Sequence, residues 1–258
     1  MNRQKDDVIA LYPVTECGDM FSLFISNIEW LTFSMPGSKR TYPGYCARCH
    51  FDVAAYHEGL FLHTGIAMPA EVRRSVPKRQ AEYLAGRYLA KNVLARFNIH
   101  GHVLASSADR APVWPAGMAG SISHNADHVL CAVHRCDSRV CGVGLDIETW
   151  MNESRADSLW PGIVDDMEYD WLHSQAPLGF AQMLTLNFSA KESLFKALYP
   201  QVKCYFDFLD ARMIALDTTQ QSFTLQLRSS LSSDYPAGRC FAGRYLWRER
   251  DITTFLFV

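Results

Sequence analysis

The chain has 258 residues, of which 48% are hydrophobic and 20% charged, with a formal net charge of −2. That length can bury a substantial core in a globular protein, and the near-neutral charge gives no bulk electrostatic case for nucleic acid as a partner, so any anion site must be a local cluster of Arg and Lys. No stretch approaches the roughly 18–20 apolar residues of a membrane helix, and Met1–Pro13 mixes Lys5, Asp6 and Asp7 with a short apolar patch, unlike a signal peptide; a cytoplasmic protein with reduced thiols is expected.

Residues 1–70 read as irregular, punctuated by Pro36, Gly37, Pro43 and Gly44. Within them, Cys46-Ala47-Arg48-Cys49-His50 has the form of a haem-attachment motif, but that chemistry belongs to exported proteins. A zinc site on the same pair would need further ligands, and His57 and His63 have the wrong spacing for a usual finger, so the plainest reading is an unligated loop. Other cysteines stand at 17, 131, 136, 141, 204 and 240; Cys131, Cys136 and Cys141 are evenly spaced by five but lack a second ligand set, and Cys131 sits in the apolar run Val129–Val133 as a small hydrophobe.

The spacing predicts a helix over 77–97, with Ala81, Leu84, Ala85, Tyr88 and Ala95 on one stripe and Arg79 and Arg87 away from it, about 80° apart. A turn-rich loop over 106–120 follows, then strands over 128–134 and 140–148. Residues 151–175 read as partly helical with a break at Trp160-Pro161-Gly162. A second helix is predicted from Ser189 to about Tyr199, ended by Pro200, and alternation in the tail, as at Phe223, Leu225 and Leu227, predicts several strands. Helices and strands in segregated runs argue for an α+β fold of two similar subdomains, 1–141 and 142–258.

Four segments could carry chemistry. In Gly144-Leu145-Asp146-Ile147-Glu148, two carboxylates at i and i+2 on a strand project from one face and could converge on a hard cation; a solvent-facing polar row explains them equally. In Phe188-Ser189-Ala190-Lys191-Glu192-Ser193-Leu194-Phe195-Lys196, Ser189 and Glu192 fit a capping box and Glu192 with Lys196 a surface ion pair, while the functional reading makes Glu192 a third metal carboxylate and Lys191 and Lys196 phosphate ligands. Gly120-Ser121-Ile122-Ser123-His124, read as a turn just before a strand, suits anion recognition; a Ser–His hydrolase would need the nucleophile elbow this segment lacks, and a turn serine with a partly buried histidine is the ordinary alternative. Lys78, Arg79 and Arg87 could be a solvated helix face.

Taken together and in order, KRQAEYLAGR at 78–87, APVWPAGMAGSISH at 111–124, VGLDIE at 143–148 and FSAKESLFKALYP at 188–200 resemble the phosphopantetheinyl transferase family, of the enterobactin-synthase component D type. The resemblance covers roughly residues 77–210. It implies two pseudo-symmetric α+β subdomains with the active site in the cleft between them, where the 4′-phosphopantetheine group of coenzyme A is moved to a serine of an apo-carrier protein and 3′,5′-ADP is released. It further implies magnesium on Asp146, Glu148 and Glu192, coenzyme A phosphates held by Lys196, Lys191, Arg79 and Arg87, and the 3′-phosphate met by His124 accompanied by Ser123. Glu192 is the expected base for the acceptor hydroxyl. One family lysine upstream of the PVWP segment has no counterpart; only Arg110 is basic in Ser106–Arg110. Two similar halves in one chain suggest a monomer. The competing expectations are a coenzyme A or carrier-protein binding module without catalysis, a metal-dependent nucleotide phosphohydrolase, and a haem or zinc protein built on Cys46 and Cys49.

Overall fold

The computed structural model describes residues 21–38, 40–136, 141–175 and 179–258. In chain order these form α1 (Phe21–Phe24), β1 (Ile25–Leu31), β2 (Tyr45–Phe51), α2 (Gly59–Thr64), α3 (Ala70–Arg73), α4 (Pro77–Ala95), β3 (Met118–His124), β4 (His128–Arg135), β5 (Val143–Thr149), α5 (Glu153–Leu159), α6 (Asp166–Ser174), α7 (Phe180–Val202), β6 (Ala211–Asp217), β7 (Ser222–Leu227), β8 (Cys240–Trp247) and β9 (Asp251–Phe257). The fold is α+β. Contacts divide the described residues into one unit within 1–34 and 40–137 and a second within 35–39 and 138–258. Cys17 lies outside the described residues.

Unit one is an antiparallel sheet in the order β1-β2-β4-β3 with α4 packed against β4 and β2. Pro77 opens α4 at a position where a missing N–H costs nothing. Its face carrying Ala81, Leu84, Ala85, Leu89 and Val93 is buried against Ala47, Cys49, Phe51, Val129 and Cys131. Within the described part of the first 70 residues, the expectation of irregular structure is corrected: β1 and β2 lie there and supply half of this sheet, while residues 1–20 lie outside the described residues. The Cys46–His50 motif is thus part of strand β2 and not a loop. Cys46 and Cys49, three residues apart on a strand, project to opposite faces, and only Cys49 joins the core under α4. Burial pushes both thiols well up, so neither offers a thiolate.

Unit two is a five-stranded antiparallel sheet, β5-β9-β8-β7-β6, with α7 lying across β5 and β9. It repeats the plan of unit one: one long helix on an antiparallel sheet. The expected helix from Ser189 begins earlier, at Phe180, so Ser189 is a buried mid-helix residue and not an N-cap. The run Phe180-Ala181-Gln182-Met183-Leu184 simply continues the helical pattern toward the N-terminus, and the Gly179 N–H meets Gln182 Oε1 at 3.4 Å. Pro200 falls inside the last turn; Lys203 caps the helix, its N–H donating to the Tyr199 carbonyl and its left-handed φ of 53° turning the chain away.

The seam of unit two is the contact of β5 with α7. A Cβ on Gly144 would lie 1.7 Å from the Ser193 carbonyl oxygen, and one on Gly142 would lie 2.1 Å from that of Ala197. The strand backbone therefore rests directly on the helix backbone, which only glycine permits. Gly144→Ala is expected to destabilise the protein by about 3 kcal/mol or more, because backbone on both sides must move. Urea denaturation measures this, and an unchanged midpoint would contradict the contact.

Candidate active site

The closeness of β5 and α7 decides where the carboxylates of the VGLDIE segment go. Asp146, two residues past Gly144, shares its face and is buried against α7, so the solvent-facing polar row is ruled out for it. Its Oδ1 meets Lys196 Nζ at 2.6 Å and its Oδ2 accepts the Ser189 hydroxyl at 2.8 Å. Lys196 thus reaches across to β5, more than the helix-surface ion pair that its spacing from Glu192 suggested. Glu148 is half-buried one step further along the strand. Burial, then the negative charge of Asp146, push its carboxyl up to about 7, with Lys196 opposing and Glu192 adding to the rise. Glu192 is raised as well, by burial first and by Asp146, against Lys196.

Asp146, Glu148 and Glu192 therefore lie in one another's field with Lys196 as the nearby ammonium. Among the described residues, no three His, Cys, Asp or Glu side chains are already gathered into a ligand shell. The donor set nevertheless fits a hard divalent cation such as magnesium: every donor is an oxygen, and the burial and mutual repulsion of these carboxylates are what such an ion would offset. Glu192 also lines a small cavity of about 100 Å³ with Phe195, Tyr205, Phe206 and Phe208.

Lys191 also borders this cavity, but its charged end is turned away from solvent. Its ammonium is buried inside unit two, 2.7 Å from Glu168 Oε2 and 2.8 Å from the Ile163 carbonyl oxygen. Glu168 in turn accepts from Asn187 Nδ2 and from the Met213 N–H, both at 2.7 Å, and so ties α6, α7 and β6 together. The ammonium expected to hold phosphate is thus engaged by Glu168 and the Ile163 carbonyl in this structure, since one residue from Glu192 on a helix it points about 100° away.

In unit one, α4, β3 and the loop between them line a cavity of about 550 Å³ that includes Arg79, Arg87, Arg110, His124, Glu82 and Tyr83. His124 Nε2 lies 3.2 Å from Arg79 Nη1 and 3.7 Å from Glu82 Oε2. Arg87 is stacked 4.5 Å over Tyr83, and its guanidinium donates to the Leu104 carbonyl and the Ser106 hydroxyl, both at 2.8 Å. Arg110 stands in a left-handed turn with φ of 64°. The expected Ser-Ile-Ser-His turn is instead strand β3, paired along its length with β4. Side chains therefore alternate: Ile122 and His124 line the cavity, while Ser123, expected to accompany His124, is buried on the alternate face of the strand.

Residue spacing did not point to Glu168, Thr254 or the Ser189 contact, since each depends on which element packs beside which. Lys191→Met should cost about 3–5 kcal/mol by leaving Glu168 buried without its partner, with much of the loss recovered on adding Glu168→Leu. Denaturation of the single and double variants measures it, and a stable Lys191→Met protein would return the lysine to a binding role.

Residues 68–134 match the family model for the 4′-phosphopantetheinyl transferase N-terminal domain, and residues 142–240 match that of the 4′-phosphopantetheinyl transferase superfamily. Enterobactin synthase component D of Salmonella typhi is 36% identical over 177 residues, 68% of this chain and 70% of that one. The 4′-phosphopantetheinyl transferase Svp of Streptomyces mobaraensis is 33% identical over 162 residues, covering 61% and 63% of the two chains. PptT of Mycobacterium tuberculosis, a protein of the same description, is 29% identical over 166 residues, covering 63% and 70%. With both units matched in order and two thirds of a relative covered, the chain belongs to the 4′-phosphopantetheinyl transferase superfamily, and is an enzyme of that kind.

Proposed function

We propose that this transferase takes the 4′-phosphopantetheine group from coenzyme A, delivers it to a serine of an apo-carrier protein, and releases 3′,5′-ADP in a magnesium-dependent reaction. The observation that carries this reading is the mutual field of Asp146, Glu148 and Glu192 beside Lys196, in a chain of this superfamily. In the proposed roles the chain divides its work at 141/142, with the 3′-phosphate residues in 1–141 and the metal and base residues in 142–258.

Magnesium held by Asp146, Glu148 and Glu192 would neutralise the pyrophosphate and the charge that develops on the leaving group. Lys196, partly exposed, supplies a positive charge for the same phosphates. Glu192 accepts the proton of the carrier serine hydroxyl as its oxygen attacks the β-phosphorus, the phosphorus that bears the pantetheine arm, and burial suits it by raising its basicity. No nucleophile of the enzyme's own is needed. His124, Arg79 and Arg87 receive the 3′-phosphate, and Arg110 stands in for the missing upstream lysine because its guanidinium-bearing side chain lines the same cavity.

The same reading gives a monomer working in the cytoplasm, where donor and apo-carriers are made. No described helix is long and apolar enough to cross a membrane. The names of the enterobactin synthase relatives make the carrier domain of a siderophore synthase the first acceptor to try, ahead of fatty-acid or other peptide-synthesis carriers.

The direct test is mass spectrometry of an apo-carrier incubated with enzyme, coenzyme A and magnesium: a phosphopantetheine mass gain supports transfer. Release of phosphopantetheine to water without any carrier would mean a phosphohydrolase instead, and coenzyme A binding without turnover a passive binding module. Glu192→Gln is expected to lower transfer by about 10²-fold or more with the fold retained by circular dichroism; turnover near that of the wild type would remove the base assignment. His124→Ala and Arg110→Ala should each raise KM for coenzyme A by about tenfold, the loss of one charge-assisted hydrogen bond, and change that for dephospho-coenzyme A little. Equal effects on both donors would show that neither side chain reads the 3′-phosphate.

A further inference from the structure

Asp146 is fastened from behind by a chain of hydroxyls. Thr254 on β9 stands directly opposite Asp146 on β5 in the strand register, so both side chains point to the same face of the sheet, where α7 lies. Ser189 and Ser193, one helical turn apart on α7, meet them there. The contacts are Ser193 Oγ to Thr254 Oγ1 at 2.7 Å, Thr254 Oγ1 to Ser189 Oγ at 2.9 Å, and Ser189 Oγ to Asp146 Oδ2 at 2.8 Å. Thr254 Oγ1 also donates to the Ser189 carbonyl oxygen at 2.8 Å. All four residues are buried: Ser189, Ser193 and Thr254 at 0% exposure and Asp146 at 2%.

Proton accounting fixes the direction of the bond to Asp146. A carboxylate only accepts hydrogen bonds, so the single proton of Ser189 goes to Asp146. Thr254 donates to the Ser189 carbonyl oxygen and stands beside the Ser189 hydroxyl, and Ser193 can donate to the Thr254 hydroxyl at 2.7 Å or to the Thr254 carbonyl oxygen at 3.2 Å. Ser189 is thus the hydroxyl that donates to the aspartate, and Thr254 and Ser193 pack against it from behind. One carboxylate oxygen is thereby held in the core, while Oδ1 lies on the side of the partly exposed Lys196.

We propose that Ser189 and Thr254 are positioning residues that hold Asp146 by Oδ2 and so present Oδ1 to the divalent cation. The inference rests on the magnesium reading given under the proposed function, and adds to it two residues with no contact to the cation or either substrate. Fixing a metal carboxylate from behind spares it the loss of rotamer freedom on binding, and removal of such partners commonly costs 10–100-fold in metal affinity.

The test is direct metal binding by the full-length enzyme, using Mn²⁺ followed by electron paramagnetic resonance and Mg²⁺ by calorimetry, for wild type, Asp146→Asn, Ser189→Ala, Thr254→Val and Thr254→Ser. Thr254→Val keeps the side-chain volume and removes the hydroxyl; Thr254→Ser keeps the hydroxyl. The expected result is metal affinity lowered about tenfold in Ser189→Ala and Thr254→Val, restored toward wild type in Thr254→Ser, with kcat at saturating Mg²⁺ little changed. If wild type binds the metal and Asp146→Asn does not, while Ser189→Ala and Thr254→Val bind like wild type, the positioning role is overturned and the magnesium reading stands. If wild type binds no metal, or Asp146→Asn binds as well as wild type, the magnesium reading fails and takes this inference with it. A lower melting temperature in Thr254→Val with unaltered metal affinity would assign the hydroxyl to stability alone and equally overturn the proposal.

Discussion

The geometry of unit two depends on one close approach: the backbone of β5 resting on the backbone of α7 at Gly142 and Gly144. Any side chain at either position would hold strand and helix apart. Because they touch, Asp146 is carried to within hydrogen-bond reach of both Ser189 and Lys196, residues seven positions apart on one helix face. A carboxylate from a strand and a lysine from a helix thus meet without any loop having to place them, and rigid elements hold reacting groups more accurately than loops do.

Around that seam, unit two uses charge in two different ways. Glu168 and Lys191 form a buried pair whose remaining hydrogen-bonding capacity goes to Asn187, Met213 and Ile163, so the two charges are compensated within the core. Asp146, Glu148 and Glu192 share Lys196, and the carboxyls of Glu148 and Glu192 are raised by burial first and by their acidic neighbours second. The first arrangement is closed and structural; the second carries an excess of negative charge, the condition in which a cation is attracted. Adjacent residues on α7, Lys191 and Glu192, belong to opposite arrangements because a helix turns about 100° per residue.

Unit one answers with the opposite sign. Its cavity gathers Arg79, Arg87, Arg110 and His124, with Glu82 beside them. α4 contributes Arg79 and Arg87, two turns apart and therefore both able to border one cavity, and β3 contributes His124 from its last position. Such a set of guanidinium and imidazole groups is suited to phosphate. It draws on local concentration of charge in a chain whose net charge is only −2.

By itself the sequence determined the elements with long, regular periodicity: α4 almost to its ends, the strands of the tail, and the presence of an α+β fold in two similar halves. The order of its four motifs also identified the superfamily and most of the residues that stand together near Asp146 or in the cavity of unit one. Tertiary structure alone decided the rest, because these features depend on partners distant in the chain. Strands β1 and β2 take their regularity from pairing with each other and with β4, whose residues lie some 80 positions downstream. Ser189 has the local pattern of a helix cap, and only the extension of α7 to Phe180 and the approach of β5 turn it into a partner of Asp146. The direction of the Lys191 ammonium depends on Glu168, and that of Ser123 on β3 being a strand and not a turn. Periodicity tells which face of an element a side chain is on; which element will cover that face is settled only when the chain has folded.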